Sequence, residues 1–340
     1  MKLYLFLGYF LGNSFFIKAQ QQPHYTQYIV NQYIINPALT GIENYTDIKI
    51  SHRHQWAGLQ GAPVTTYLSL HMPLGKQDDR LTATSFEMSG ENPRGKAYWQ
   101  QYEAASPHHG LGLKIINDRT GPLNRLGTYI SYAYHVGVSA STSLAAGFEG
   151  GVRNLSLNRA ILDFGTTDPL DPAVYNSGQI NQIKPDFGAG LYLYSRSYFV
   201  GLSVQQIIPQ KVYFSDLRIK AGDSKLIPHL FVSAGYRFLL TDDFTALPSM
   251  LVRFVSPVPV QFDVNGKVQY RDLAWVGASY RLHDGYAGMI GLNISNALNV
   301  SYSYDRTTSR INTVTKGSHE IVVGFLIGNK YGDWCPRNVW

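Results

Sequence analysis

Hydrophobic and polar residues alternate with a period of two along most of the chain after residue 44. The stretch LFVSAGYRF has an apolar or aromatic residue at every second position, beginning with Leu230 and ending with Phe238. Successive side chains of a β-strand point to opposite faces, so this pattern predicts a strand with one apolar and one mixed face. The same pattern recurs at 187–194, 198–205 and 298–305. The repetition predicts an all-β protein.

Turn sequences divide the alternating stretches into separate strands. NDRTGP at 117–122, TDD at 241–243 and HDG at 283–285 combine residues that favour turns. Counting outward from such turns predicts about fourteen strands, an even number as in bacterial outer-membrane barrels. They are expected at 45–56, 64–74, 109–118, 126–138, 141–151, 186–194, 197–206, 229–239, 246–256, 259–268, 271–281, 284–294, 297–306 and 318–328.

Some stretches lack this alternation. The polar stretches 76–108 and 152–184 are predicted to form long loops or plug-like segments, and a shorter one of mixed charge lies at 215–225. The apolar stretch QYIVNQYIINPALTG, residues 27–41, also has no simple period, because its Tyr and Ile residues come in groups of three.

The first residues, MKLYLFLGYFLGNSFFIKAQ, have the composition of a secretory signal. Lys2 precedes a short apolar core, and Ala19 offers a small residue for cleavage. We expect residues 1–19 to be removed; the alternative is an uncleaved anchor helix, which the short, interrupted apolar run disfavours. No later stretch approaches about 18 consecutive apolar residues, so no transmembrane helix is expected. Cys335 is the only cysteine, which excludes an intrachain disulfide.

Composition favours a barrel in a membrane over a soluble sheet. The chain has 24 Tyr and 32 Gly, and only 15% of its residues are charged. An aromatic-rich apolar face on many strands favours closure in a bilayer, where every backbone group must be paired. A large secreted β protein is the alternative. If the apolar face meets lipid, mixed charges face a hydrated or partly filled lumen: Arg53, Lys114, Glu149, Arg237, Arg253, Asp263, Arg281 and Asp305.

Candidate chemistry is sparse. His52 and His54 share one face of a predicted strand, but two ligands without a third make a weak metal site, and interfacial histidines are the better explanation. We find no phosphate-binding loop, nucleophile elbow or paired carboxylates. The net charge of +6 is scattered, which argues against nucleic acid as a partner. The sequence therefore predicts no enzyme, no cofactor and no metal. Trp56, Tyr129, Tyr198, Tyr286 and Tyr304 are candidates for interfacial aromatic belts.

Three ordered blocks of the sequence resemble the PorP/SprF family, outer-membrane proteins of the type IX secretion system in Bacteroidota. The first block contributes Gln27, Tyr28, Asn31, Asn36, Pro37, Ala38 and Gly41. The second contributes Gln55, Trp56, Gly58, Gly61, Ala62 and Pro63, and the third contributes Gly110, Gly112, Asn117, Asp118, Gly121 and Pro122. The tail at Cys335 also matches, whereas the stretch 76–108 is longer than the connection usual in the family.

The resemblance implies a transmembrane antiparallel β-barrel over residues 44–328. It also implies an N-terminal periplasmic or plug-like segment at 20–43 and a periplasmic tail at 329–340. We expect residues 27–41 to lie against or inside the periplasmic mouth, with Asn31 and Asn36 bonded to barrel backbone. The alternative is that the blocks are only turn and seal elements of the barrel.

The resemblance further implies a role in secretion and surface attachment. Partners would be the C-terminal domain of a secreted surface protein, other type IX components and outer-membrane lipid. Family members hold large adhesins, including gliding adhesins, at the cell surface. A structural anchor for a periplasmic peptidoglycan-binding lipoprotein is a second possibility, and a diffusion porin is a third.

Overall fold

A computed structural model of the chain describes residues 23–76, 104, 106–158, 181–209, 227–241, 244–256, 258–271, 273–295 and 297–329. The predicted signal sequence, the centres of the two long polar stretches, the stretch 215–225 and nearly all of the tail 329–340 lie outside these residues. The strands are β1 Thr46–His54, β2 Val64–Leu74, β3 His108–Thr120, β4 Leu123–Ser139, β5 Thr142–Leu157, β6 Asn181–Ser195, β7 Tyr198–Gln205, β8 His229–Tyr236, β9 Phe238–Leu239, β10 Phe244–Val255, β11 Val258–Tyr270, β12 Ala274–Arg281, β13 Gly285–Ser295, β14 Leu298–Thr307 and β15 Ser318–Ile327.

The strands form one closed antiparallel barrel. Apart from the short β9, each strand pairs with the strands that precede and follow it, and β1 pairs with β15, where Arg53 lies opposite Glu320. The short β9 continues β8, because both pair with β10. Counting β8 and β9 as one strand, the described residues form a barrel of fourteen strands. The predicted fold and strand count are therefore confirmed. No helix in the described part of the chain is both long and apolar enough to cross a membrane.

The two ends of the barrel differ in their connections. We call the end where β1 begins at Thr46 and β15 ends at Ile327 the base, and the opposite end, where β15 begins at Ser318, the rim. Most base connections are tight turns such as 140–141 and 196–197, the exception being 75–107. The rim has several longer connections, at 55–63, 158–180, 206–228 and 308–317.

The outer face of the barrel is apolar around its middle and aromatic near both ends. Exposed Ile130, Val276 and Ile290 belong to the apolar band. Exposed tyrosines flank it, with Tyr134 towards the base and Tyr286 towards the rim. An apolar band between two aromatic belts matches a bilayer with its interfaces.

Two expectations need correction. The stretch 152–184 is not loop throughout, because β5 extends to Leu157 and β6 already begins at Asn181. These strand ends carry polar residues on both faces, so the alternation of apolar residues stops before the strands do. Tyr129 is buried in the lumen rather than in an aromatic belt, and its hydroxyl donates to Asp186 Oδ2 at 2.8 Å.

Candidate functional site

The lumen of the barrel is filled by residues 23–43, which we call the lumen segment. It consists mainly of three short 3₁₀ turns, at Thr26–Ile29, Gln32–Ile34 and Pro37–Leu39. From Tyr25 to Glu43 all of its residues are buried except Val30, which is half-buried. Successive turns point their apolar residues at different parts of the wall, which explains why the sequence shows groups of three and no single period.

Apolar side chains of the segment pack into two clusters with the barrel wall. One cluster joins Tyr33, Ala38, Leu39 and Ile42 to wall residues that include Tyr192 and Phe199. The other joins Tyr25, Tyr28, Ile29, Ile34 and Ile35 to wall residues that include Phe231 and Trp275. Fully burying a large apolar side chain contributes about 1.5–3 kcal/mol, so the packing alone favours a seated segment.

The segment runs along the lumen from the rim to the base. Near the rim, Arg253 Nη1 lies 2.9 Å from His24 Nδ1, and Arg253 is close to the rim end of β10. At the base, Nε2 of His108, the first residue of β3, lies 3.2 Å from Gly41 O. The sequence predicts residues 27–41 against or inside the periplasmic mouth. The structure instead extends them through the interior, with His24 at the opposite end.

A buried ionic network holds the segment near the rim. Arg53 donates to Asp305 Oδ2 at 2.5 Å and to Glu320 Oε2 at 3.1 Å. The same guanidinium donates to Thr26 Oγ1 at 2.7 Å, and Thr26 N donates to Glu320 Oε2 at 2.9 Å. A second contact joins the Thr26 hydroxyl to Asp305. One residue of the segment therefore completes an ion network among three barrel strands.

The next family-block residues also bond to the wall. Gln27 Nε2 donates to Glu320 O at 2.8 Å, and the Tyr28 hydroxyl accepts from Asn265 Nδ2. Asn31 Nδ2 donates to Ser69 Oγ at 2.8 Å. The expected backbone partner of Asn31 is thus wrong, because its amide meets a side chain of β2 instead.

Asn36 fixes the third turn of the segment to the wall. Its Oδ1 accepts from Ala38 N at 2.9 Å, which caps the turn that begins at Pro37. Its Nδ2 donates to Leu191 O in β6 at 3.1 Å, as the sequence predicted for a backbone partner. A net contribution of about 0.5–1.5 kcal/mol is typical of one such hydrogen bond.

Glycines of the wall make room for this turn. A Cβ on Gly147 would lie 2.5 Å from Pro37 O, and a Cβ on Gly190 would overlap Asn36 Oδ1. Gly110 and Gly41 approach each other so closely that a Cβ on Gly41 would lie 2.5 Å from Gly110 Cα. Only residues without side chains allow the segment this close to the strands, so the first and third family blocks fit together in space.

Three buried histidines hold the segment at the base. His71 Nδ1 accepts from Gly41 N at 3.2 Å, and His135 donates from Nε2 to Thr40 O at 2.9 Å. His108, whose Nε2 lies 3.2 Å from Gly41 O, stacks on His135 with ring centres 4.4 Å apart. A carbonyl oxygen only accepts, so His135 carries a proton on Nε2. The backbone of two consecutive residues is thus held from three strands.

The charged residues predicted to face the lumen are all buried. Lys114 pairs with Glu149, and Arg281 lies 2.7 Å from Asp284 Oδ2 and 3.4 Å from Asp263 Oδ1. Arg237 is only 2% exposed. Ion pairs or hydrogen bonds to the wall or to the lumen segment engage Arg53, Lys114, Glu149, Arg253, Asp263, Arg281 and Asp305. Their charges are therefore largely engaged inside the barrel.

The remaining family-block residues meet at the rim. Gly121 N donates to Gly61 O at 2.9 Å, which joins the β1–β2 and β3–β4 connections. Asp118 accepts from Arg125 Nη1 at 3.1 Å and from the Thr65 hydroxyl, while Asn117 is exposed. Gln55 N donates to Pro63 O at 2.9 Å, and Trp56 N donates to Ser318 Oγ at 3.1 Å. These residues build the edge of the barrel.

Sequence reasoning missed Glu320 and the three base histidines. Glu320 is fully buried and contacts Thr26, Gln27 and Arg53. Extending the alternation of the last strand inward from Ser318 would have placed Glu320 in the lumen. No local signal marks the histidines, because their partners are backbone atoms about 30 to 95 positions away.

A family model described as type IX secretion system membrane protein PorP/SprF matches residues 17–325. The chain belongs to this family. Among curated proteins, none matches it significantly in sequence. The family and the barrel fold place this PorP/SprF protein in the outer membrane as a component of type IX secretion, which implies contact with other secretion components.

Solved barrels with the same general architecture are distant in sequence. The CymD monoaromatic hydrocarbon channel is 14% identical, with 88% of this chain and 91% of that chain covered and a TM-score of 0.45. The Pseudomonas putida toluene transporter TodX is 9% identical, with 89% and 93% covered and a TM-score of 0.44. A porin mutant from Rh. blastica is 10% identical, with 83% and 98% covered and a TM-score of 0.33.

Proposed function

We propose that this PorP/SprF protein docks the C-terminal domain of a secreted protein and anchors it at the cell surface. The anchored protein would be a large adhesin, for example one used in gliding motility. The observation that carries the proposal is the filled lumen. A barrel whose interior is occupied by its own chain is suited to holding a partner at its end rather than to passing material through.

The polar interior supports docking at the rim instead of inside the barrel. The lumen charges engage one another and the lumen segment, as Arg53 does with Asp305, Glu320 and Thr26. The barrel is closed, so none of the described strands has an unpaired edge to which a partner strand could add inside the lumen. A partner would therefore bind the connections and side chains that the rim presents.

The connection lengths support an orientation with the rim outside the cell. Outer-membrane barrels have short periplasmic turns and longer extracellular loops. The tight turns at 140–141 and 196–197 belong to the base, whereas 308–317 belongs to the rim. The base would then face the periplasm and other secretion components, and the rim would face the surface protein.

Affinity purification from gently solubilised native outer membrane tests the proposal. A tagged protein should retain a large secreted protein, and deleting the C-terminal domain of that protein should abolish retention. A tagged diffusion porin from the same membrane is the control. Recovery of periplasmic peptidoglycan-binding lipoproteins alone would contradict the proposal and favour the structural anchor.

A diffusion porin is less compatible with the packed interior. Purified protein in planar bilayers should show no steady conductance of the size given by open general porins. A large, stable conductance from the unmodified protein would contradict a filled lumen and restore the porin alternative.

A further inference from the structure

A cleft opens at the rim, where its lining residues come from β1 and from β12 to β15. Its wall includes Arg53 and Trp56 from the end of β1, Arg281 and Asp284 near the β12–β13 turn, and Tyr286 and Arg306 from β13 and β14. Two of its lining residues, Arg53 and Asp305, also belong to the ionic network that holds Thr26. Two family-block residues line it, Gln55 and Trp56, whose backbone amides bond to Pro63 O and Ser318 Oγ.

Among the described residues, both aspartates of the cleft are already paired with buried arginines, which leaves Arg306 without an ion pair. Asp284 already lies 2.7 Å from Arg281 Nη1, and Asp305 lies 2.5 Å from Arg53. Arg306 is exposed and donates to the neutral amide of Asn312 at 3.3 Å.

The adjoining connection adds two more cations. Arg310 and Lys316 are exposed on the stretch 308–317, TSRINTVTKG, which contains no acidic residue. Among the described residues, the structure pairs no carboxylate with Arg306, Arg310 or Lys316. The β1–β2 connection that faces them, QWAGLQGAP at 55–63, has no charged residue at all.

The walls of the cleft are held in place. Ala57 N donates to Gly317 O at 2.7 Å and Lys316 N donates to Ala57 O at 2.8 Å, which joins two rim connections. Trp56 adopts a left-handed backbone conformation with φ of 50°, which is rare for a bulky residue and concentrates at sites of function. Tyr286 is 52% exposed beside it.

From this arrangement we infer that the cleft binds an acidic segment of the secreted partner. Guanidinium groups pair with carboxylates through two parallel hydrogen bonds, and Trp, Tyr and Arg dominate the binding energy of protein interfaces. The uncompensated cations attract a run of Asp or Glu, and Trp56 and Tyr286 supply contact area. Lipid phosphate would be attracted by the same cations, but the rim carries the connections to which the proposed function assigns partner binding, so we assign the cleft to a polypeptide. This inference rests on the proposed function, since it names the chemistry of the docked partner.

Fluorescence anisotropy with labelled hexaglutamate tests the cleft directly. The purified full-length protein in nanodiscs should bind hexaglutamate more tightly than hexaglutamine. The triple variant Arg306→Gln, Arg310→Gln, Lys316→Gln should bind it about tenfold more weakly, since three exposed attractions are lost. Raising salt from about 0.1 to about 1 M, which shortens the Debye length from ~10 to ~3 Å, should weaken binding by the unmodified protein and leave the triple variant nearly unchanged.

Two single substitutions, one in the cleft and one outside it, control for a general loss of positive charge. Arg306→Gln should weaken binding, whereas Arg119→Gln, an exposed arginine at the rim end of β3, should not. Equal affinities of the unmodified protein and the triple variant would overturn the inference, as would absence of hexaglutamate binding. An effect of the triple substitution on binding to phosphatidylglycerol vesicles without one on hexaglutamate would overturn it in favour of lipid.

Co-purification separates this inference from the proposed function. If the unmodified protein retains its secreted partner and the triple variant retains it equally well, docking stands and the cleft is wrong. If the unmodified protein retains no secreted partner, the proposed function itself fails, whatever the peptide result.

Discussion

Asn36 Oδ1 occupies the position that a side chain on Gly190 would need. The asparagine belongs to the lumen segment and the glycine to β6, more than 150 positions later in the chain. Asn36 Nδ2 also donates to Leu191 O at 3.1 Å. The side-chain amide of Asn36 therefore packs against β6 only because Gly190 has no side chain. A change at either residue should disrupt this contact.

Gly190→Val should unseat this part of the segment, because the new Cβ would overlap Asn36 Oδ1. Overpacking costs roughly 1–3 kcal/mol, so we expect a lower thermal unfolding midpoint and less folded protein in the outer membrane. Heat-modifiable migration on gels measures the folded fraction. Gly288→Val is the matched control, because a Cβ there meets nothing within 4 Å. Equal unfolding midpoints for the two variants would show that Gly190 is not needed for close packing.

Asn36→Ala should destabilise the barrel without adding bulk. It removes the acceptor for Ala38 N and the donor to Leu191 O, and a buried group left without its partner costs about 1–3 kcal/mol. Asn117→Ala, at an exposed position of β3, should have little effect on the folded level. Wild-type levels and wild-type partner retention for Asn36→Ala together with Pro37→Ala would contradict a role for this turn.

Arg53→Met should be among the most damaging single changes in the lumen. It leaves Asp305 and Glu320 buried without their guanidinium, and breaking a buried pair in this way costs about 3–5 kcal/mol. Adding Glu320→Gln should recover part of the loss, because it removes one uncompensated charge. Arg119→Gln, an exposed arginine, serves as the control in thermal unfolding. If the double variant is less stable than Arg53→Met, the charge argument is wrong.

A disulfide between the segment and the wall should leave the protein functional. Thr40 Oγ1 lies 2.9 Å from Ser131 Oγ, so the sulfur atoms of cysteines at these two positions would lie close enough to bridge. With Cys335 replaced by Ser, we expect the bridge to form and partner retention to persist, because the segment is a fixed filling. The Thr40→Cys single variant controls for the substitution. Retention lost on oxidation and regained on reduction would mean that the segment must move.

The path of the segment predicts where a tag before Pro23 emerges. His24 lies beside Arg253 at the rim, so an epitope inserted directly before Pro23 should leave the barrel at the rim. With the rim outside, antibody should label this tag on intact cells. An epitope after Ile327 should be labelled only after the outer membrane is permeabilised. Labelling of both tags only after permeabilisation would contradict the path or the orientation.

The strand positions could be predicted from the sequence because alternation is a local property. Residues 230–238 show it completely, and β8 with β9 lies where the pattern placed it. The outer ends of β5 and β6 were missed because strands that continue beyond the apolar band need no apolar face. Leu157 and Asn181 are strand residues in a stretch whose polarity indicates a loop.

The location of the lumen segment could be predicted only in part. Its Tyr and Ile residues indicated burial, and Asn36 was correctly expected to bond to barrel backbone. The direction in which the lumen segment runs and the wall residues that it contacts could not be predicted, because they depend on side chains such as Glu320 and His135 that lie far away in sequence. The partner of Asn31 was wrong for the same reason.

The seam between β1 and β15 gives the ionic network near the rim a consequence for assembly. Arg53 and Glu320 face each other across this seam, and Thr26 bonds to both. The first residues of the fold thus contact the last strand to be synthesised, and the entropy of closing so long a loop is lost before these contacts form. An empty barrel would have to close with the Arg53–Glu320 pair lacking its hydroxyl and amide partners. We therefore expect the ring to close and the lumen segment to seat together, and a chain without its first turn, Thr26–Ile29, to accumulate with β1 and β15 unpaired.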